Sequence, residues 1–218
     1  MNDSRTLKYY RERAPEYEQI YYRPEPERRR EIDGEATRLK EYVRGCSVLE
    51  WACGTGYWTR IMAETASHII AFDFWMEMIA QARKKKYRSP VAFLQADMEY
   101  LPLKTAVFDF LAVGFWFSHQ PCQEYERFFE RLKYPLKKEG QIWMIDNNPP
   151  AEGLQKTSAG CDKFGNNLKE RFLDNGREYI IIKNYFEEKQ LRDIFTPAFK
   201  IEQLVFGKYY WSILMTPG

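Results

Sequence analysis

Cysteine and histidine are scarce in this chain, four and two among 218 residues, and that scarcity argues against a structural zinc site. Cys46, Cys53, Cys122 and Cys161 form no Cys-x-x-Cys pair, and His68 and His119 do not complete the ligand set of a structural zinc. Disulfide staples are not needed either, because a chain of this length, 44% apolar and 17% aromatic, can bury one substantial core. No secretory apolar segment precedes the cysteines, so a reduced, cytoplasmic protein is expected. Long apolar runs are missing as well. The longest, Val107 to Phe117, is interrupted by Asp109 and falls well short of the roughly 20 residues that cross a bilayer. Charge of one sign is also lacking: 33 basic against 31 acidic residues leave a net +2, which gives no general field for nucleic acid or an anionic membrane. Neither partner is expected, and the basic runs Arg28–Arg30 and Arg83–Lys86 read as solvated helix ends.

What the chain has is alternation. Residues 1–44 are helical in pattern and divide at Pro24 and Pro26; in the second helix Ile32, Ala36, Leu39 and Val43 share one face. From Ser47, strand-length apolar runs (Val48–Trp51, Ile69–Phe72, Val91–Gln95, Val107–Gly114, Gln141–Ile145) alternate with amphipathic segments at Tyr57–Glu64, Trp75–Lys86 and Gln123–Lys133. Such alternation predicts an α/β fold, a parallel sheet between two layers of helices. Leu136–Gly140 reads as a turn closing that unit. Asn147–Asn167, rich in Gly, Pro, Asn and Ser, reads as an irregular excursion. Asp174-Asn175-Gly176 between apolar runs predicts a hairpin. A helix at Glu187–Phe195 and two antiparallel strands at Lys200–Phe206 and Tyr209–Met215 complete the chain. One domain is expected, organised as an N-terminal helical part (1–44), a core (45–146), an insertion with the hairpin (147–185) and a C-terminal helix with strands (186–218).

Chemistry concentrates at the strand ends. Val48-Leu49-Glu50-Trp51 runs into Ala52-Cys53-Gly54-Thr55-Gly56 and then a helix, a turn that lets a ligand approach backbone N–H groups. A nicotinamide-binding loop would need a third glycine where Thr59 stands. Glu50, just before the loop, attracts a cation and repels a pyrophosphate. Asp73 ends the next strand, nineteen positions after Gly54, where an acid can accept both hydroxyls of a ribose. Asp97 ends the third, placed to accept from an exocyclic amine, with Met98 beside the ring. Three acids at three successive strand ends describe one site for a cationic or phosphate-free nucleoside ligand.

The ordered segments VLEWACGTGYWT, HIIAFDFWMEMIAQAR, FLQADMEYLPL, FDFLAVGFWFSH and LKKEGQIWMID resemble the motif series of class I S-adenosylmethionine-dependent methyltransferases, over about Tyr42 to Asp146. GFWFSHQP, RFLDNGREYIIIKNYF and YYRERAPEYEQIYYR further resemble a group of small bacterial methyltransferases. The resemblance implies a Rossmann-like three-layer sandwich whose seven-stranded sheet ends in an antiparallel strand, with S-adenosylmethionine as cofactor. It implies that Glu50 faces the methionine amino group, that the loop through Ala52, Gly54 and Gly56 passes beneath the cofactor, that Asp73 binds the ribose, and that Asp97 with Met98 receives adenine; Phe74 and Met78 are further expected cofactor contacts. Ala52 departs from the family's usual glycine. The N-terminal region folds over the cofactor as a lid in related enzymes, which makes Tyr10 and Tyr17, seven residues apart, candidate cofactor contacts; ordinary helix packing is the competing reading.

The segment Gly114–His119 follows the fourth strand and should face the methyl group, so Phe115 is expected against the cofactor and Trp116 and His119 against the acceptor. His119 is either a general base or a structural cap, an open choice on sequence alone. Asn147-Asn148-Pro149-Pro150 follows the fifth strand and lacks the aromatic residue of amino-methylating nucleic-acid enzymes, so it is set aside. The expected activity is methyl transfer to oxygen, nitrogen or carbon of a small, partly apolar molecule. The alternatives are an RNA or protein methyltransferase and a cofactor-binding scaffold without chemistry.

Overall fold

The computed structural model describes residues 4–22, 24–98, 100, 104–149 and 158–218. Five parallel strands form one side of its main sheet: Ser47–Trp51 (β1), His68–Asp73 (β2), Val91–Gln95 (β3), Phe108–Gly114 (β4) and Leu136–Asn147 (β5). Tyr210–Pro217 (β10) runs antiparallel to β5, and Phe199–Phe206 (β9) pairs antiparallel with β10 at the edge. The order is β3-β2-β1-β4-β5-β10-β9. Every residue of the central β1 is buried, which is why its sequence is apolar on both faces rather than alternating. Helices Pro26–Tyr42 (α2) and Tyr57–Met62 (α3) pack their apolar stripes on one face, while Tyr125–Lys133 (α5) and Glu188–Phe195 (α6) cover the other. Met76–Ala82 (α4) follows β2. The Rossmann-like α/β sandwich is the observed architecture.

Two local expectations change. Leu136–Gly140 is the first part of β5 rather than a turn. Phe108 pairs with Leu136 and Phe110 with Gln141, so the strand bulges outward between them and the ladder then resumes. Within the stretch from Asn147 to Asn167, Ser158–Cys161 (β6) is a strand; it pairs with Asn167–Phe172 (β7), which pairs with Glu178–Ile182 (β8) in a second, three-stranded sheet. The predicted hairpin is β7–β8, closed by Leu173 and Gly176 with Gly176 at φ +81°. Pro150 lies outside the described residues.

The N-terminal part divides into Ser4–Arg13 (α1), a turn, and a single 3-10 turn at Tyr17–Tyr21 before α2. Tyr10 and Tyr17 therefore belong to different elements, although their rings lie 5.8 Å apart. The helix α1 packs on β8 through Tyr9, Leu173 and Ile181, with Glu12 bridging to Arg177 at 2.8 Å. At the other end of the segment, Glu31 of α2 accepts from the backbone N–H groups of Lys208, Tyr209 and Tyr210, which fastens α2 to the β9–β10 connection.

The small sheet is tied to the large one through charge. Lys183, immediately after β8, donates to Asp146 of β5 at 2.8 Å and to Ser118 Oγ at 2.6 Å, all within the protein interior. Burial alone would raise the Asp146 carboxyl, but the Lys183 charge and its hydrogen bond outweigh it, and the group ionises below its ordinary range. Backbone N–H groups of Ser118 and Asn147 complete the carboxylate's partners. Lys183→Met should lower the unfolding free energy by about 3–5 kcal/mol, because it strands a buried carboxylate. Urea denaturation checks this, and the paired change Lys183→Met with Asp146→Leu should recover most of the loss.

Candidate active site

The carboxyl ends of β1, β2 and β4 open onto a cleft of about 620 Å³. Its floor is the turn after β1. There Cys53 N donates to Phe72 O, Gly54 N to Asp73 Oδ2 at 2.9 Å and Gly56 N to Cys53 O, so the loop is drawn against the end of β2. Ala52, Gly54 and Gly56 all take positive φ, at +53°, +54° and +79°. At Gly56 a Cβ would lie 2.7 Å from Tyr87 Oη and 2.9 Å from Ala82 Cβ, so only glycine lets the loop rest on α4. Ala52 holds a left-handed conformation that costs an L-residue roughly 1–2 kcal/mol.

Most of the residues singled out from sequence as cofactor contacts meet here. Ala52, Gly54 and Asp73 line one side and Phe74, Met78, Asp97 and Met98 another, while Tyr10, Tyr17 and Phe115 form the remaining walls. Trp116, expected at the acceptor, lines this same cleft. Two expected residues do not line it. Gly56 is engaged in packing, and Glu50 sits behind the loop, its carboxylate accepting from Thr59 Oγ1 at 2.5 Å. That bond joins the end of β1 to α3 and closes the loop at its base. Burial pushes Glu50 up to about 8, against the Thr59 hydrogen bond and with Asp73 adding repulsion. Asp73 is raised to about 6 by burial, opposed by the N–H groups of Trp75 and Gly54.

A second chamber of about 560 Å³ adjoins the first, and Tyr10, Tyr17 and Phe115 belong to both. Phe115 is itself unusual, a bulky residue at φ +55° held by N–H donation to Ile145 O. His119 lines the second chamber, where its two nitrogens are already engaged: Nδ1 donates to the Ile182 carbonyl at 2.5 Å, which leaves Nε2 to accept from Tyr10 Oη at 2.7 Å. Burial first, and the Lys183 charge next, lower its pKa to about 3, so the imidazole is neutral. The remaining walls include Arg13, Arg28, Arg171 and Lys183. Four cations thus line a chamber that the sequence reading did not anticipate. Arg28 had been assigned to a solvated run, yet it turns inward over Tyr209 and Tyr210 while Arg29 and Arg30 remain exposed.

Residues 48–140 match the family model described as a methyltransferase domain. A solved DhpI–SAH complex superimposes with a TM-score of 0.77 at 25% identity, covering 98% of this chain and 96% of that one. In fold and in this domain the chain is similar to class I S-adenosylmethionine-dependent methyltransferases. A SAM-dependent methyltransferase from Aquifex aeolicus shares the fold, with a TM-score of 0.64 and 19% identity over 94% of this chain and 98% of that one. A demethylmenaquinone methyltransferase of Listeria welshimeri is 28% identical over 122 residues, 53% of this chain and 51% of that protein. One from Lactococcus lactis is 29% identical over 120 residues, 52% and 47%. The chain spans about half the length of the curated relatives it matches.

Two measurements follow from the loop. Ala52→Gly should raise the unfolding free energy by about 0.5–1 kcal/mol, the relieved strain less the added freedom of the unfolded chain; thermal unfolding reads it. Glu50 and Asp73 both take up protons on folding, since their folded pKa values exceed the ordinary carboxylate range. Their stabilising contribution is therefore complete below the unfolded pKa, about 4, and is lost as pH rises through about 6 for Asp73 and about 8 for Glu50. Stability of the ligand-free protein should fall across this window in urea titrations, and Glu50→Gln should flatten the upper part of the fall.

Proposed function

We propose that this chain transfers the methyl group of S-adenosylmethionine to an oxygen, nitrogen or carbon of a small molecule seated in the second chamber. The observation that carries the reading is the meeting of two chambers at Tyr10, Tyr17 and Phe115, one floored by the acid-flanked loop and the other closed by the hairpin and the N-terminal helices. When bound, S-adenosylmethionine supplies an electrophilic methyl group carried on a sulfonium.

The residues present fit that cofactor. Each oxygen of the Asp73 carboxylate accepts one backbone N–H, from Gly54 and from Trp75, and keeps lone-pair capacity for a diol. Phe74, Met78 and Met98 give apolar walls of the kind a purine ring stacks on, with Asp97 alongside. Trp116 Nε1 is buried in the cleft with no hydrogen-bond partner among the described residues. Tyr10, Tyr17 and Phe115 form the partition, and their rings exclude water and present π-faces to a cation. His119 fixes Tyr10 through Nε2 and, held neutral, acts on orientation rather than as a base with a pKa near neutrality.

Calorimetric titration with S-adenosylmethionine and S-adenosylhomocysteine tests the reading. Saturable binding by the wild type, weakened at least about tenfold (about 1.4 kcal/mol) in Asp73→Asn, is expected. Folded protein that binds neither ligand removes the proposal. Once an acceptor is found, the rate between pH 5 and 8 should show no inflection that disappears in His119→Gln; such an inflection would return the base role to His119.

A further inference from the structure

The arginines of this protein divide into two populations. Those directed outward largely find carboxylates: Arg11 with Glu77, Arg44 with Glu41, Arg177 with Glu12 and Arg192 with Glu188. Those directed into the second chamber do not. Among the described residues, Arg13, Arg28 and Arg171 form no ion pair with a carboxylate, although they come from α1, α2 and β7 and converge on one space. Asp146, behind them, is taken by Lys183 and two backbone N–H groups, and Glu16 lies near Arg13 without pairing with it.

What holds the guanidinium groups in place leaves their charge uncompensated. Arg13 lies over the rings of Tyr9 and Tyr17, at 5.4 and 5.7 Å, and donates to Tyr9 Oη. Arg28 lies over Tyr209 and Tyr210, at 5.1 and 5.5 Å. Arg28 Nε and Arg171 Nε are buried and hydrogen-bond no described group. Aromatic faces orient a guanidinium plane without accepting its in-plane N–H groups. Three like charges around a single small chamber repel one another, and buried donors without acceptors carry a desolvation cost. An oxyanion removes both penalties at once, because the planar fork matches the oxygen spacing of carboxylate and phosphoryl groups.

We infer that the second chamber selects its acceptor by an oxyanion group, carboxylate or phosphoryl, held by Arg13, Arg28 and Arg171 across the aromatic partition from the cofactor cleft. This rests on the methyltransferase reading for the word acceptor, while the anion site stands on the chamber itself. Lys183, satisfied by Asp146 and Ser118, is the post behind the site rather than a ligand of it. Asn147 stands on the same walls, with one side-chain N–H given to Asp146 and the other to spare.

Calorimetry with inorganic phosphate and with acetate, each titrated into protein with and without saturating S-adenosylhomocysteine, tests the inference. Saturable binding at one site with a Kd of about 1 mM or tighter is expected for at least one anion. Phosphate without acetate binding assigns a phosphoryl group, and acetate without phosphate a carboxylate. Arg171→Gln and, separately, Arg28→Gln should weaken the anion at least about tenfold while S-adenosylhomocysteine affinity changes less than about twofold; circular dichroism confirms that each variant is folded. Absence of anion binding by protein that binds S-adenosylhomocysteine overturns the anion site and leaves the methyltransferase reading intact. Anion binding that both folded variants retain unchanged also overturns it. Failure to bind S-adenosylhomocysteine strikes the cofactor reading alone, since the ligand-free arm still reports on the chamber.

Discussion

The buried contact between Lys183 and Asp146 is the joint on which the site is built. It is the point where the three-stranded sheet meets the seven-stranded one, and both the Ser118–His119 segment and the β8 end are hydrogen-bonded around it. A pair of this kind adds little net stability compared with apolar packing, because both ions are taken out of water. Its value lies in geometry. An apolar contact would tolerate sliding, whereas an ammonium between one carboxylate and one hydroxyl accepts a narrow set of positions. With that position set, β8 places the Ile182 carbonyl on His119, His119 accepts from Tyr10, and the N-terminal helix is drawn over both chambers.

The same arrangement separates two electrostatic environments a few ångströms apart. On one side lie Asp73 and Asp97, with Glu50 behind the loop; on the other lie three guanidinium groups. A partition of aromatic rings stands between the acids and the bases, with the Tyr10 hydroxyl engaged by His119. Phe115 maintains it in an unfavourable backbone conformation, where the Ile145 carbonyl and the surrounding Tyr21 and Tyr210 rings hold it.

Much of this was legible in the sequence, and the parts that were not have identifiable reasons. Strand-end acids were readable because a parallel sheet puts consecutive strand ends on one edge, so Asp73, Asp97 and the glycine loop fall together from spacing alone. The cationic chamber was not. Arg13, Arg28, Arg171 and Lys183 lie on four elements and share no local pattern, and Arg28 sits in a run whose neighbours face solvent; each step of about 100° around the helix separates one direction from the next. Leu136–Gly140 carried turn chemistry that the structure uses as a bulge inside a strand. Trp116 lines the first cleft beside Phe115, a position that alternation does not give once a strand ends.

Tyr10 and Tyr17 wall both chambers, and this makes the N-terminal segment a shared door. The same stretch of chain therefore borders both spaces, although the groups that line the rest of each differ. The fastenings of that door are unequal. Its inner edge is latched by the Tyr10–His119 hydrogen bond, while its outer edge is held by Arg11–Glu77, Glu12–Arg177 and Glu18–Lys85. Two of those three involve largely exposed side chains, the class of contact that dissolved salt loosens first. Dissolved salt therefore reaches this region twice, loosening the exposed pairs that hold the N-terminal helix and screening the guanidinium groups of the second chamber from one another.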